Sequence, residues 1–486
     1  MSEALVFPVI DLRAIAPILV LAGTALLLLV LDLLPPRDRK DHLGVIGAIG
    51  AVVSLLVALW LWGADVRAFR GMVILDDYTL FFGLIIGFAT SLVLMLSLDY
   101  LRRQGMESGE FYILVLFSAT GMALMAAAGD LIVVFLGLET MSLSLYVLTG
   151  FFRGRLDAAE ASMKYFLLGA FASGFFLYGI ALVFGATGST NLDRIAAAVA
   201  GGAARDPLLV VGFGLLLVGF GFKISSVPFH MWASDVYQGA PTSVTALIAT
   251  GSKAAAFAAL LRVLLAVARP AQPDWASLLW VLAVLSMTVG NVVAIAQQNL
   301  KRMLAYSSIA HAGYMLVGVV AGGAPGHGSV LFYLLVYTFT TAGAFGVILL
   351  LERNGQEAVR LEDFAGLAAR HPVMALALSL FLLSLIGIPP TAGFVGKFYL
   401  FGAAVRAGYI WLVVIGVLNS AAAAYYYLRL IVVMYMREPE GMPATLVPSF
   451  SGGLALAVAL WGVVQFGVLP APLFDLAQAA VTPLLR

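Results

Sequence analysis

The chain has 486 residues, of which 62% are hydrophobic and 11% are charged. Soluble domains are about 45–50% apolar and about 25% charged, so this composition indicates a polytopic membrane protein. The net charge of +1 gives no reason to expect a nucleic-acid partner. The lack of cysteine excludes a disulfide, a thiolate metal site and an iron–sulfur cluster held by this chain.

The hydropathy pattern predicts segments long enough to cross about 30 Å of hydrocarbon. They are residues 12–34, 43–62, 78–98, 111–128, 131–151, 160–184, 207–226, 241–268, 276–297, 302–320, 328–351, 373–401, 408–435 and 452–472. We therefore predict an all-α fold of about 14 transmembrane helices. The first segment lacks a basic start and a cleavage site, so it is expected to be a span and not a signal peptide. The connections 185–206, 352–372 and 436–451 are predicted to be surface loops.

Basic residues predict the orientation, because they accumulate in cytoplasmic loops. Thirteen of them, including Arg37 and Arg39, fall in odd-numbered loops, whereas eight, including Arg269 and Arg486, fall in even-numbered loops and the termini. This bias predicts a multi-pass protein with its odd-numbered loops in the cytoplasm and both termini outside, in the periplasm.

An internal repeat is visible in the sequence. VFLGLETMSLSLYVLTGF, from Val134, aligns without gaps on RMLAYSSIAHAGYMLVGV, from Arg302. Five predicted spans separate the two copies, and an odd number inverts the second copy, as in transporters built around a midplane site. We predict four parts: three N-terminal helices in 1–110, a five-helix repeat in 111–268, an inverted five-helix repeat in 275–435, and a C-terminal helix in 436–486.

Each repeat contains a predicted helix break. In the first repeat, a proline in KISSVPFHMWASDVYQGAPT removes a helical hydrogen bond near residues 225–230. In the second, GIPPTAG does the same near residues 387–393. Backbone groups freed inside a membrane must be satisfied by protein or water. Both breaks therefore predict hydrated points within the bilayer.

Charged residues inside the predicted spans are the strongest functional signal. Lys164, Lys223, Lys253 and Lys397 lie in spans, although the chain has only six lysines, and Glu139 is the one acidic residue placed deep in a span. A lysine at a helix centre costs about 2.5–3.5 kcal/mol. Because such groups can exchange protons when a partner moves or water enters, the pattern favours a proton relay. The alternatives are a structural ion pair between Lys223 and Glu139, and a Lys164 that reaches toward the loop of Arg153.

Several other residues allow two interpretations. His230, in the first break, and His311, in the repeat, are either relay residues or core histidines; their positions favour the relay. Tyr425, Tyr426, Tyr427 and Trp411 are expected to be packing or interface residues. His42, His327 and His371 fall at or near predicted loops, so a transmembrane haem pair is not expected. No phosphate loop, dinucleotide fingerprint or HExxH motif is present.

The run KISSVPFHMWASDVYQGAPTSVTALIATGSK resembles the signature of the antiporter-like membrane subunits of respiratory complex I, the proton-pumping NADH:quinone oxidoreductase. This family also includes Mrp cation/proton antiporter subunits and membrane subunits of energy-converting hydrogenases. The resemblance extends from about Phe111 to Tyr435. DVYQGAPT and NLKRMLAYSSIAHAGYMLVG are similar to the N-type branch, although Ala233-Ser234 replaces a common threonine and proline.

The resemblance implies roles for the same residues. Glu139 and Lys223 match the family's glutamate–lysine pair, Lys253 the central lysine, and Lys397 the terminal lysine; Lys164, His230 and His311 match further polar positions on the route. It also implies that this chain carries no cofactor, whereas FMN, iron–sulfur clusters and quinone belong to other subunits of a hetero-oligomer. The expected partners are the other membrane subunits of complex I and the lipid bilayer.

Three functions therefore remain open from the sequence. The favoured one is a proton-translocating subunit of NADH:quinone oxidoreductase. The second is an Mrp-type Na⁺ or K⁺/H⁺ antiporter subunit. The third is a scaffold in which the buried charges only bind neighbouring subunits.

Overall fold

The computed structural model describes residues 11–34, 40–268, 272–353, 356–439 and 444–485. The side chains of residues 266–268 and 272–274 lie outside this description. Arg37, Arg39, Arg269 and both chain termini, with Arg486, therefore lie outside the described residues. The predicted periplasmic position of the termini stays a prediction.

The described chain is almost entirely helical. Its α-helices are α1 Ala16–Asp32, α2 Asp41–Trp60, α3 Asp77–Arg103, α4 Gly109–Ala126, α5 Leu131–Thr149, α6 Leu156–Thr187, α7 Leu192–Ala200, α8 Pro207–Ile224, α9 Ala233–Gly239, α10 Thr242–Leu247, α11 Lys253–Ala268, α12 Gln272–Ile295, α13 Leu300–Ala321, α14 Gly323–Leu349, α15 Leu367–Arg370, α16 Pro372–Ile386, α17 Ala392–Arg406, α18 Ile410–Met436, α19 Phe450–Val468 and α20 Ala471–Leu485. A π-helical turn, Ile248–Ser252, joins α10 to α11. Short 3₁₀ turns cover Leu12–Ile15, Phe69–Gly71, Ala203–Arg205 and Leu361–Phe364.

Five short strands lie in the connections that the structure describes. They are β1 Val66–Ala68, β2 Val73–Leu75, β3 Leu351–Arg353, β4 Gln356–Glu357 and β5 Thr445–Leu446. β1 and β2 form an antiparallel hairpin in which Arg67 is opposite Ile74. β3 is the middle strand of a second antiparallel sheet, in the order β4, β3, β5.

The transmembrane prediction is confirmed. Among the described residues, 13 helices are long and apolar enough to cross a membrane. The remaining predicted segment, 373–401, is the broken pair α16 and α17, whose halves are too short to span alone. Four helices of the described chain were not predicted: α7 and α15 lie in predicted loops, α9 lies between two predicted spans, and α20 follows the last predicted span.

Both predicted helix breaks are present. α8 ends at Ile224, where Ser225 adopts a left-handed conformation with φ 60°. α16 ends at Ile386, and Gly387 has φ 90°. The proline that follows each break lacks the backbone donor needed to continue a helix. The structure therefore places one interrupted helix in each predicted repeat.

The most buried helices lie at the centre of the bundle. The apolar windows of α14 and of Thr242–Leu265 are wholly buried, and that of α13 is 94% buried. By contrast, α1, α6 and α18 expose large apolar side chains such as Leu26, Phe171 and Leu418. Exposed apolar faces of this kind suit contact with lipid or another subunit. Lys253 on α11 and His311 on α13 are accordingly enclosed by protein.

Candidate functional site

Lys253 begins α11, directly after the π turn, and it is 1% exposed. Its Nζ donates a hydrogen bond of 2.6 Å to the carbonyl oxygen of Ser308 on α13, and a second bond to the Ser308 hydroxyl. The Ser308 hydroxyl also lies 3.1 Å from the hydroxyl of Tyr237. The Lys253 ammonium is 5.8 Å from the centre of the Tyr337 ring. Polar side chains from α9, α13 and α14 therefore lie around this lysine.

His311 lies on α13, one turn beyond Ser308, and is 1% exposed. Its Nδ1 is 2.7 Å from the hydroxyl of Tyr333, and its Nε2 is 3.4 Å from the hydroxyl of Tyr427. The imidazole also contacts the rings of Tyr337 and Tyr314, at centroid distances of 5.2 Å and 5.5 Å. Tyr337 thus touches both Lys253 and His311.

Lys397 lies in α17, just beyond the second helix break, and is 5% exposed. Its Nζ donates to the carbonyl oxygens of Leu385 and Ile386, at 3.0 Å and 2.9 Å, and to the hydroxyl of Ser420 at 3.2 Å. These carbonyls are the last ones of α16, and the break leaves them without helical donors. A cation at a helix C-terminus is also favoured by the helix dipole. The break therefore supplies the binding site for this lysine.

Tyr314 joins Lys397 to His311. The Lys397 ammonium lies 4.5 Å from the centre of the Tyr314 ring. The Tyr314 hydroxyl accepts a hydrogen bond of 3.1 Å from Asn291, whose amide oxygen accepts one of 3.0 Å from Tyr426. Contacts consequently run in the order Lys253, Tyr337, His311, Tyr314 and Lys397. We call this series the central axis.

Lys223 is at the end of α8, before the first break, and it is 4% exposed. Its Nζ has no hydrogen-bond partner among the described residues. Instead it faces the rings of Tyr165, Tyr146 and Phe222, at 5.1 Å, 5.4 Å and 5.7 Å. Cation–π contacts of this kind stabilise a desolvated ammonium. Lys223 is thus held in an aromatic cage.

Glu139 does not form a direct ion pair with Lys223 in the described residues. Its carboxylate accepts a hydrogen bond from the hydroxyl of Ser173 on α6. Ser173 and Lys223 line the same narrow gap between α5, α6 and α8. The predicted ion pair is therefore not formed between these described residues, and the hydrogen-bond partner of Glu139 lines the same gap as Lys223.

Aromatic side chains connect Lys223 to the central axis. Tyr165 stacks on Trp232 at a centroid distance of 4.5 Å, and Trp232 lies 6.5 Å from Tyr237. Trp232 also donates a hydrogen bond of 2.9 Å to the carbonyl oxygen of Phe222 at the end of α8. Because Tyr237 contacts Ser308, the series from Lys223 reaches Lys253 without a gap.

Lys164 and His230 lie apart from this series. Lys164, near the start of α6, forms ion pairs of 2.7 Å with Glu160 and Asp235 and is half-exposed. Asp235 also pairs with Arg302 at 2.6 Å. Burial raises the pKa of Asp235, but its bonds to Lys164 and Arg302 outweigh this and bring the pKa below its usual value. His230 is half-buried in the turn before α9, and its Nδ1 has no partner among the described residues.

The consecutive tyrosines of α18 divide between the two expected roles. Tyr426 and Tyr427 are packing residues, since both are fully buried, and they also belong to the hydrogen-bond network around His311 and Asn291. Tyr425 and Trp411, by contrast, are 60% and 75% exposed. His327, expected at or near a loop, lies close to the start of α14 and is buried. Arg262 and Glu357, which bind α3 and the start of α10, were not predicted.

A bundle of this form, with an interrupted helix in each half and buried lysines in series, defines an antiporter-like membrane subunit. The family model described as "NADH:quinone oxidoreductase/Mrp antiporter, TM" matches residues 128–422. NADH-quinone oxidoreductase subunit N of Trichlorobacter lovleyi is 49% identical to this chain, with 99% of each chain covered. Subunit N 2 of Roseiflexus castenholzii is 48% identical, with 98% of each covered. This chain belongs to the NADH-quinone oxidoreductase subunit N family.

Solved structures show the same fold. A chain of respiratory complex I from Thermus thermophilus matches with a TM-score of 0.81 and 38% identity, covering 95% of this chain and 99% of that one. A chain of the Mrp complex from a Dietzia species matches with a TM-score of 0.85 and 24% identity, covering 98% of each. The relatives therefore support the complex I interpretation over the Mrp alternative, because the Mrp likeness extends to the fold alone.

Proposed function

We propose that this chain moves protons across the membrane as part of NADH:quinone oxidoreductase, driven by quinone reduction in neighbouring subunits. One observation carries the proposal. Lys223, Lys253 and Lys397 are buried, and none of them has a carboxylate partner within ion-pair distance among the described residues. A buried ammonium without a counter-ion is costly, so small changes in its surroundings can drive proton release or uptake.

The contact series supports a lateral route for the protons. Protons would pass laterally from Lys223 to Lys253, then by His311 to Lys397. Glu139 would act on Lys223 through Ser173, either by approaching it or by withdrawing. We assign Lys164 to a charged cluster with Asp235 at the edge of this route, and His230 to the hydrated turn at the first break. The four-part division of the chain around the two breaks remains part of this proposal.

No redox step is assigned to this chain. The described residues contain no group of three or more side chains suited to a metal ion. We propose that FMN, iron–sulfur clusters and quinone act in other subunits, and that energy reaches this chain through its contacts with neighbouring membrane subunits.

The partner subunits test this assignment. A tagged chain would be isolated from its native membrane in mild detergent, and the co-purifying proteins would be identified by mass spectrometry. Co-purification with an active NADH:quinone oxidoreductase supports the proposal. A set of cation/proton antiporter subunits without that activity would contradict it.

The orientation has its own test. We propose that both termini are periplasmic in a bacterial inner membrane, on the basis of the basic-residue bias. The chain contains no cysteine, so single cysteines at Ser2 and next to Arg486 would be the only thiols in it. An impermeant thiol reagent should label both from the periplasmic side. Labelling from the cytoplasmic side alone would reverse the assigned topology.

A further inference from the structure

One neighbouring helix, α3, contacts both ends of the helical segment that carries Lys253. This segment spans Thr242–Leu265 and runs antiparallel to α3. The end of α3 near Tyr100 therefore meets Thr242, and the beginning of α3 at Asp76 meets Arg262. The matched family region starts at residue 128, so α3 lies outside it.

Asp76 and Arg262 form the first anchor. Arg262 donates two hydrogen bonds to the Asp76 carboxylate, of 3.0 Å and 2.9 Å, and a third of 2.9 Å to Thr79. Both charged residues are 4% exposed. Burial raises the pKa of Asp76, but Arg262 and Thr79 outweigh this and hold the pKa below its usual value. Because a two-bond guanidinium–carboxylate contact fixes orientation as well as distance, it holds this end of the helix in one position.

Tyr78 strengthens the same anchor. Its ring lies 4.8 Å from the Arg262 guanidinium carbon, and its hydroxyl donates a hydrogen bond of 2.8 Å to the carbonyl oxygen of Ala258 on α11. α3 thus binds α11 through side chains and through the backbone.

Glu357 and Tyr100 form the second anchor. Glu357 accepts hydrogen bonds from the Tyr100 hydroxyl and, at 2.8 Å, from the Thr242 hydroxyl. Lys301 lies 3.7 Å from the same carboxylate and donates a bond of 2.6 Å to the carbonyl oxygen of Ala240. A carboxylate at a helix N-terminus is favoured by the helix dipole. The start of α10 is therefore held by α3, β4 and α13 together.

The π turn Ile248–Ser252 lies between the two anchors, and Lys253 follows it directly. Such turns break the regular hydrogen-bond pattern of an α-helix and occur frequently at functional sites. With both ends of the segment held, a rearrangement must take place in this middle part. We propose that α3 is a positioning element for proton transfer. Its two anchors hold both ends of the Thr242–Leu265 segment, so that any movement of this segment is confined to the π turn and displaces Lys253. This inference rests on the proposed function and adds a role for the N-terminal helices.

The test uses the first anchor, because removing it need not destabilise the chain. Replacing a whole buried ion pair by uncharged residues is often neutral, whereas removing one partner leaves a costly buried charge. The informative variant is therefore the double change Asp76→Asn with Arg262→Met, in which asparagine still caps α3. The assembled complex should oxidise NADH while it moves several-fold fewer protons per NADH. Arg262→Lys keeps one charged bond to Asp76. Its proton-to-NADH ratio should therefore lie between those of the double variant and the parent.

A matched pair controls for general damage to α3. Arg103, in the last turn of α3, pairs with Glu352 at 2.9 Å but is bonded to β3 and α14, not to the Lys253 segment. Arg103→Met with Glu352→Gln should keep the parental proton-to-NADH ratio. The inference is overturned if the Asp76/Arg262 double variant also keeps the parental ratio, or if both double variants lose it equally.

Lys253→Ala, measured in the same vesicles, separates this inference from the proposed function. If the Lys253→Ala complex pumps protons at the parental rate, the proposed function itself is contradicted. If the Lys253→Ala complex loses pumping while the Asp76/Arg262 double variant pumps normally, the proposed function stands and only the role of α3 is contradicted.

Discussion

Lys253 and Ser308 are joined by a hydrogen bond of 2.6 Å from the lysine ammonium to the serine carbonyl oxygen. A backbone acceptor is not removed by a side-chain substitution, so replacing Ser308 by a smaller residue such as alanine leaves this acceptor in place. The serine hydroxyl, by contrast, links Lys253 to Tyr237 and hence to the first half of the chain.

This geometry predicts different results for the two residues. Lys253→Ala should abolish most proton translocation, because no other cation occupies this position of the central axis. Ser308→Ala should lower translocation less, since the carbonyl still holds the lysine in place. Proton uptake by reconstituted vesicles during NADH oxidation measures both, with assembly checked on native gels. A Ser308→Ala defect as large as that of Lys253→Ala would contradict the assigned role of the carbonyl.

The separation between Glu139 and Lys223 leads to a second prediction. Two charges influence each other over several ångströms in a low-dielectric interior, so direct contact is not required for coupling. Glu139→Ala and Lys223→Ala should each lower pumping severely in an assembled complex, and the double variant should be no worse than additive. Normal pumping by an assembled Lys223→Ala complex would remove this step and favour the scaffold interpretation.

The tyrosines of α18 allow a matched comparison. Tyr427 is buried and contacts His311 and Ser307, whereas Tyr425, on the same helix, is 60% exposed. Tyr427→Phe removes the hydroxyl with little change in volume and should slow proton transfer several-fold. Tyr425→Phe should have no measurable effect on proton uptake per NADH. Equal activity of the two variants would show that the Tyr427 hydroxyl has no part in the network.

Glu357 predicts a dependence of stability on pH. Burial raises the pKa of Glu357, but Lys301, Tyr100 and Thr242 outweigh it, and the pKa lies below the ordinary value of 4.5. An acid with a lowered pKa in the folded state stabilises the fold above its ordinary pKa and loses this contribution as the pH falls through the lowered one. The melting temperature of the purified complex should therefore be insensitive to this group between neutral pH and about pH 5.

The stabilisation by Glu357 should disappear under more acidic conditions. Glu357→Gln should lower the melting temperature at neutral pH, and the difference from the parent should shrink as the pH falls below 4.5. Scanning calorimetry or intrinsic fluorescence at a series of pH values measures this. A difference that stays constant with pH would show that the charge of Glu357 does not stabilise the fold.

Much of the architecture could be predicted because a membrane imposes strong rules on sequence. Each crossing needs a long apolar run, and each proline-containing break within it needs polar partners. Lys223, Lys253 and Lys397 stood out for the same reason, since buried lysine is costly. The helices α7, α9, α15 and α20 were not predicted because each is short, and short apolar runs carry little periodic signal.

Some residues have roles that could not be predicted from the sequence, because these roles depend on contacts between helices that are distant in the chain. Tyr425, Tyr426 and Tyr427 are consecutive, and successive helical residues point about 100° apart. The sequence alone does not determine which of them faces inward. Glu357 looked like an ordinary loop charge, since only the fold of the β3–β4 hairpin brings it to Thr242. Arg262 could have been noticed as a charge within a predicted span, although its partner Asp76 lies 186 positions away.

The central claim is that the buried lysines release and regain protons and are not fixed charges. Lys397→Arg tests it most directly, because arginine can bond the carbonyl oxygens of Leu385 and Ile386 but effectively never loses its proton in a protein. The measurement is proton uptake and NADH oxidation by the assembled variant complex in reconstituted vesicles. We predict that Lys397→Arg assembles but loses most proton translocation, as Lys397→Ala does. An arginine variant that pumps like the parent would show that only a positive charge is needed at this position.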